Sequence, residues 1–191
     1  MKSVTLIDCC SLNGALKAIR NRTGNNILRI DYTALFKALE NLRKTWQWAP
    51  SKFTQILVPK DSYPSEGFDK FVNMLRKIGY LVYVVDTVEA IRSASVCSST
   101  FQTPSMSARM AYTMGEIAAN QDMQLMVVSH EFEMWYPLYR ASSRLSKVGL
   151  AYFGSLLDYR WAGHGLFEDQ MPTIHFMELD CYKKKIFGTD L

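Results

Sequence analysis

Short hydrophobic runs alternate along this 191-residue chain with longer segments of helical periodicity. This alternation constrains the fold more than any other feature, because repeated strand–helix units build a parallel sheet with helices on its faces. The predicted strands are 4–8, 54–59, 80–86, 125–129, 149–154 and 173–179. Since crossover connections are right-handed, few topologies remain for such a series. We predict an α/β fold of three layers, α/β/α, with a central, mostly parallel sheet and the first strand in its interior.

The segments between these runs carry apolar residues at helical spacing. Asp31 is a predicted N-cap, and Gly79 is a predicted helix stop. The predicted helices are 31–46, 65–77, 104–120 and 131–147, with a mobile Ser/Thr-rich loop at 93–107 and a solvated lysine run at 183–185. We predict a single domain over residues 1–191, with a C-terminal extension from about residue 156.

Composition narrows the class of protein. The chain is 48% hydrophobic and 21% charged, which is typical of a globular domain that buries a full core. The 22 basic and 18 acidic residues give a net charge of +4, which permits a nucleic-acid partner without requiring one. The four cysteines form no CxxC pair and are interpreted as reduced thiols. No run reaches the ~20 apolar residues of a membrane span. These features predict a cytoplasmic protein without a membrane partner.

Acidic residues follow two of the predicted strands. Asp8 ends the first strand, and Glu131 and Glu133 come just after the fourth. Ligands of open parallel sheets bind beyond the carboxyl ends of the strands, so these carboxylates converge if the two strands are neighbours. Carboxylates can hold Mg²⁺ or Mn²⁺, which activate water for phosphodiester hydrolysis. The pattern predicts a metal site made of Asp8, Glu131 and Glu133.

A structural explanation of the same acids stays open. Acidic residues at the start of a helix gain about 0.3–1 kcal/mol from the helix dipole, so Glu131 and Glu133 need no metal to account for them. Asp8 differs, because a carboxylate that ends a buried strand is costly to desolvate unless it is paired or bound.

Four phrases, in order along most of the chain, resemble the NYN branch of the PIN-like nuclease superfamily. LIDCCSLNGAL resembles the first strand of that family and the residues after it, RIDYTALFKAL resembles a helix start, and LRKIGYLV resembles the phrase that introduces the third strand. VSHEFEMWYPL, residues 128–138, resembles the Ser-Gly-Asp-x-Asp-Phe and Pro-Leu that follow the fourth strand. The resemblance implies a PIN-like fold and a metal-dependent endoribonuclease.

The chain has Glu where the family has Asp at positions 131 and 133, and it departs further from the family pattern at three other positions. Ser11 stands where the family has Asn, His130 replaces a Gly, and Met110 occupies the place of an Asp in the helix before the fourth strand. A thioether is no ligand for Mg²⁺, so a Met110 that faces the acids leaves the site one charge short. The alternative is that Met110 packs in the core. The resemblance therefore implies weakened or lost cleavage, with these catalytic residues: Asp8, Glu116, Glu131 and Glu133.

RNA is the partner that this resemblance implies. The residues expected to contact it, mainly through phosphates, are Ser11, Arg20, Arg22, Ser129, Arg140 and Arg144. The alternative function is a non-catalytic scaffold or protein-interaction domain that keeps the nuclease fold. A homo-oligomer or another protein also stays open as a partner.

Overall fold

The computed structural model describes residues 1–60, 66–86, 106–156 and 174–188. Within these ranges the chain forms one six-stranded sheet, all parallel, in the order β3-β2-β1-β4-β5-β6. The strands are β1 (Lys2–Asp8), β2 (Ser51–Lys60), β3 (Leu81–Asp86), β4 (Met123–Val128), β5 (Val148–Tyr152) and β6 (Ile174–Glu178). The helices are α1 (Cys9–Thr23), α2 (Tyr32–Thr45), α3 (Glu66–Ile78), α4 (Met106–Ala118), α5 (Trp135–Ser142) and α6 (Lys183–Phe187). The predicted α/β/α fold is confirmed, with β1 inside the sheet.

The helices cover both faces of the sheet because successive strand residues point to opposite sides. On β1, Ile7 packs into a core cluster with α1, α2, α3 and α6. Its neighbour Leu6 packs into the other cluster, with α4 and α5. No helix in the described part of the chain is long and apolar enough to cross a membrane.

Two helical segments differ from the sequence prediction. Residues 9–23, for which no helix was predicted, form α1 directly after β1, because the Asp8 side chain accepts the Ser11 N–H at 3.1 Å and caps the helix. The helix predicted over 131–147 is a 3₁₀ turn at Phe132–Met134 followed by α5, which ends at Ser142. Most of the predicted loop and the first part of the C-terminal extension lie outside the described residues.

Two side chains lie in other surroundings than expected. The expectation that Met110 faces the acidic site is wrong: its side chain is fully buried in the cluster of α4, α5 and the sheet. The prediction that residues 183–185 are solvated is confirmed for Lys184 and Lys185, which are exposed, but is wrong for Lys183. The Lys183 stem is buried, and its ammonium lies 2.8 Å from Asp180 Oδ1 in an ion pair.

We predict that Met110→Asp lowers the free energy of unfolding by about 3–5 kcal/mol, because it removes core packing and buries an unpaired charge. Chemical denaturation measures the loss. The control is Tyr112→Asp on the same helix, where the side chain is 62% exposed and the expected change is within about 0.5 kcal/mol. A Met110→Asp variant whose melting temperature rises with Mn²⁺ would place this position at an ion site instead.

Candidate functional site at the carboxyl ends of β1 and β4

The strand order reverses between β1 and β4. The chain leaves β1 towards β2 and β3 on one side, and β4 leads to β5 and β6 on the other. The two central strands pair in parallel up to Ile7 and Val128. Such a switch point opens a crevice beyond the carboxyl ends of both strands, where ligands of doubly wound sheets bind. Asp8 and Ser129 lie there on neighbouring strands, as predicted.

Asp8 is a buried carboxylate with several hydrogen bonds. It is 1% exposed and accepts the backbone N–H groups of Cys10 and Ser11 and the hydroxyl of Ser129. Burial raises the pKa of Asp8, and these hydrogen bonds oppose the rise only in part. Ser129 Oγ in turn accepts the Glu131 N–H at 3.2 Å. A carboxylate held where its charge is disfavoured is a feature that clusters at functional sites.

His130 connects three segments of the chain through its ring. Nε2 accepts the Phe153 N–H at 3.1 Å, and Nδ1 lies 2.8 Å from Ser11 Oγ. The ring also stacks on Phe153, with centroids 5.6 Å apart. Burial lowers the pKa of His130 to about 4, so the ring is neutral at pH 7. The residue that replaces the Gly of the family pattern is therefore part of the packed core.

These contacts fix the direction of the Ser11 hydroxyl. A backbone amide can only donate, so Nε2 carries no proton and the neutral ring carries its proton on Nδ1. Nδ1 therefore donates to Ser11 Oγ, which also accepts the His130 N–H at 2.7 Å. With both acceptor positions used, the Ser11 proton points to a third group. Ser11 is thus set as a hydrogen-bond donor.

A cavity of about 210 Å³ lies beside this hydroxyl. Its floor is a stripe of α1 in which small residues follow Ser11 at helical spacing, and Glu131 forms part of its wall. The lining residues are Ser11, Gly14, Ala15, Ala18, His130, Glu131 and Leu156. The cavity is therefore lined by a hydroxyl whose two acceptor positions are used and by one acidic residue.

The acidic residues do not gather into an ion-binding cluster. Within the described ranges, no group of three or more His, Cys, Asp or Glu side chains is placed to hold a metal ion. Glu131 and Glu133 are exposed beyond β4, whereas Asp8 is buried. Glu116 is exposed on α4, whose buried side chains pack on the sheet face opposite α1. The described side chains thus do not fit a two-ion Mg²⁺ or Mn²⁺ centre.

The predicted RNA contacts lie in different places. Arg20 donates from Nε and one Nη to the Leu28 carbonyl, at 3.0 and 2.5 Å, and so holds the chain that follows α1. Arg22 is exposed near the end of that helix. Arg140 and Arg144 line a second cavity, between α4 and α5, whose described lining residues all differ from those of the first. Only Ser11 and Ser129 of the predicted set lie at the switch point.

Sequence reasoning missed a second acidic pair at the same edge of the sheet. Glu178 ends β6, and its carboxyl is hydrogen-bonded to Asp180, an interaction that raises the pKa of Glu178. Asp180 pairs with Lys183 and acts electrostatically on His130. The rule that singled out Asp8, an acid at the end of a hydrophobic run, applies equally to the last strand and would have found this pair.

Comparison of the chain with protein-family models, with curated proteins and with solved structures gives no match. The resemblance to the NYN branch of the PIN-like superfamily therefore rests on the quoted phrases and stays a prediction.

We predict that Asp8→Asn raises the melting temperature at pH 7. The raised pKa means that Asp8 favours the fold when protonated, and this contribution is lost as pH rises through the folded pKa. Asn keeps a cap acceptor without the charge. The gain, followed by thermal melts from pH 3 to 8, should vanish below the ordinary carboxyl pKa of 3.8.

The matched control for this variant is Asp31→Asn. Asp31 caps α2 in the same way, accepting the Ala34 N–H at 2.9 Å, but it is exposed. The control should change stability by less than about 0.5 kcal/mol. If the Asp8→Asn protein melts at a lower temperature than the wild type at pH 7, the charged form of Asp8 does not destabilise the fold.

We predict that His130 makes the fold sensitive to acid. Its pKa rises from about 4 when folded to 6.5 when unfolded, so between these pH values the unfolded chain binds the extra proton and stability falls as pH falls. The loss is roughly 3 kcal/mol over the window. Denaturant unfolding at several pH values should show a smaller fall for His130→Gln. In contrast, His175→Gln, at a half-buried position of β6, should retain most of it.

Proposed function

We propose that this chain is an RNA-directed, PIN/NYN-like protein in which cleavage is weakened or lost. The observation that carries the proposal is the buried Asp8 at the switch point between β1 and β4, with Ser129 and Glu131 beside it. The quoted phrases place the acids of the family's site at these same positions.

The cavity lined by Ser11 and Glu131 suits a ribose. A 2′-hydroxyl both accepts and donates hydrogen bonds, and it is the group by which proteins distinguish RNA from DNA. Ser11, whose two acceptor positions are both used, lines this cavity, and Glu131 contributes an acidic residue to its wall. A Cβ built at Gly14 meets no atom within 4 Å, so the α1 stripe is open to a ligand. Phosphates on either side would find Lys17 and Arg22, which are exposed on α1.

Weakened cleavage follows from the acids. Hydrolysis with Mg²⁺ or Mn²⁺ needs carboxylates that converge, since their charge holds the ions. Here the Asp8 carboxylate is engaged by three donors, Glu131 and Glu133 are exposed, and Met110 is in the core. We therefore propose a protein that binds RNA rather than an efficient nuclease.

We predict that the protein binds a single-stranded RNA of about 12 nucleotides and that affinity falls with salt. Fluorescence anisotropy measures binding, and DNA of the same sequence should bind more weakly. Gly14→Leu, which fills the cavity, should lower RNA affinity by at least about tenfold. Because Gly14 lies inside a helix, the leucine should not destabilise the fold.

The control is Gly115→Leu, a second helix glycine with open space at its Cβ, which lines the other cavity and should leave RNA binding unchanged. The same RNA is then incubated with Mn²⁺, with and without EDTA. Efficient, EDTA-sensitive cleavage that disappears in Asp8→Asn would show an active nuclease. If the protein neither binds nor cleaves this RNA, the alternative function, a non-catalytic scaffold, is favoured.

A further inference from the structure

The second cavity is a groove between α4 and α5, and nothing in the proposed RNA site uses it. It measures about 290 Å³ and lies on the sheet face opposite α1. Its lining is mainly small and apolar, with two arginines: Ala111, Met114, Gly115, Ala118, Tyr136, Pro137, Arg140, Ala141 and Arg144. We call this cavity the α4–α5 groove.

The charges at the groove are unbalanced. Arg140 and Arg144 are exposed, and among the described residues neither guanidinium has an ion pair. Of the groove-lining residues that the structure describes, none is acidic. A ligand that covers these arginines must therefore bring its own negative charges, because a charge removed from water without a partner is costly.

An exposed aromatic side chain lines the groove: Tyr136 is 58% exposed. Tyr112 on α4 and Tyr139 on α5 are also exposed, at 62% and 45%, but are not lining residues. Tyrosine and arginine are enriched among the residues that dominate binding at protein interfaces, where they anchor the centre of the contact. An apolar slot flanked by such residues is typical of an interaction surface rather than of a solvated helix pair.

The backbone of α4 is accessible in the groove. Ala111, Gly115 and Ala118 lie on one face of the helix, and a Cβ built at Gly115 meets nothing within 4 Å. Small residues at this spacing let a second helix approach closely, so that its own side chains fill the slot. An amphipathic helix in a groove is a common mode of peptide recognition, and its apolar anchors recur at helical spacing.

We propose that the α4–α5 groove binds an acidic amphipathic helix of a partner protein. Apolar side chains of that helix enter the slot over Met114, and carboxylates beside them pair with Arg140 and Arg144. A nucleic-acid strand is a poorer match, because it needs a series of phosphate contacts along a basic track and the groove offers two cations beside an apolar slot. The partner site and the RNA site lie apart, so one protein can hold both.

A displayed library of helical peptides of about 16 residues tests the proposal. Apolar residues vary on one face, and each flanking position is Glu or Lys. Selection on the wild-type protein should enrich Glu at the flanking positions. The selected peptides should bind Gly115→Leu and the double variant Arg140→Glu, Arg144→Glu at least about tenfold more weakly. They should bind Gly14→Leu as they bind the wild type.

Three outcomes overturn the proposal. The first is a selection that yields no peptide whose binding depends on Gly115, or that enriches Lys at the flanks. The second is RNA binding that Gly115→Leu abolishes, which would make the groove a nucleic-acid site. The third is self-association of the wild type that Gly115→Leu abolishes, which would make a second copy the occupant. Melting temperatures of both glycine variants confirm that each is folded, and loss of the RNA function alone leaves this result intact.

Discussion

The arrangement at the candidate site depends on one imidazole ring that must stay uncharged. His130 follows β4, contacts Ser11 on α1, and accepts the amide of Phe153 after β5. These groups are buried, and a buried donor without a partner costs about 1–3 kcal/mol. The stacked Phe153 ring packs on Phe187 of α6, with centroids 4.9 Å apart. The His130 side chain therefore positions the Ser11 hydroxyl, and through Phe153 it also contributes to the packing of α6 against the sheet.

A sheet buried on both faces separates the two candidate surfaces. The Asp8 edge is built by strand ends and α1, whereas the α4–α5 groove is built by helices that pack on the far face. The described lining residues of the two surfaces are all different. The first surface combines Ser11, His130 and Glu131 with small residues of α1, whereas the second is mainly apolar with two arginines. Substitutions at one surface can therefore leave the side chains of the other surface in place.

The sequence predicted the strands and the meeting of Asp8 with Ser129, because buried parallel strands are written as hydrophobic runs and their crossovers have a fixed hand. Other features depend on information that periodicity lacks. Met110 belongs to an apolar stripe, but its burial depends on which way the helix faces. Lys183 can be buried because its ammonium pairs with Asp180, three residues earlier. The role of His130 could not be predicted, because its hydrogen-bond partner, the Phe153 amide, lies 23 positions away along the chain.

The junction of β1 and α1 contains no loop, since Asp8 is both the last strand residue and the helix cap. An α-helix turns by about 100° per residue, so one residue inserted here would rotate every side chain of α1 by that angle. Ser11 would leave His130, and Gly14 would leave the cavity. Insertions and deletions at this junction would therefore disrupt the cavity. Related proteins can change the cavity only by substituting side chains on a helix whose orientation stays the same.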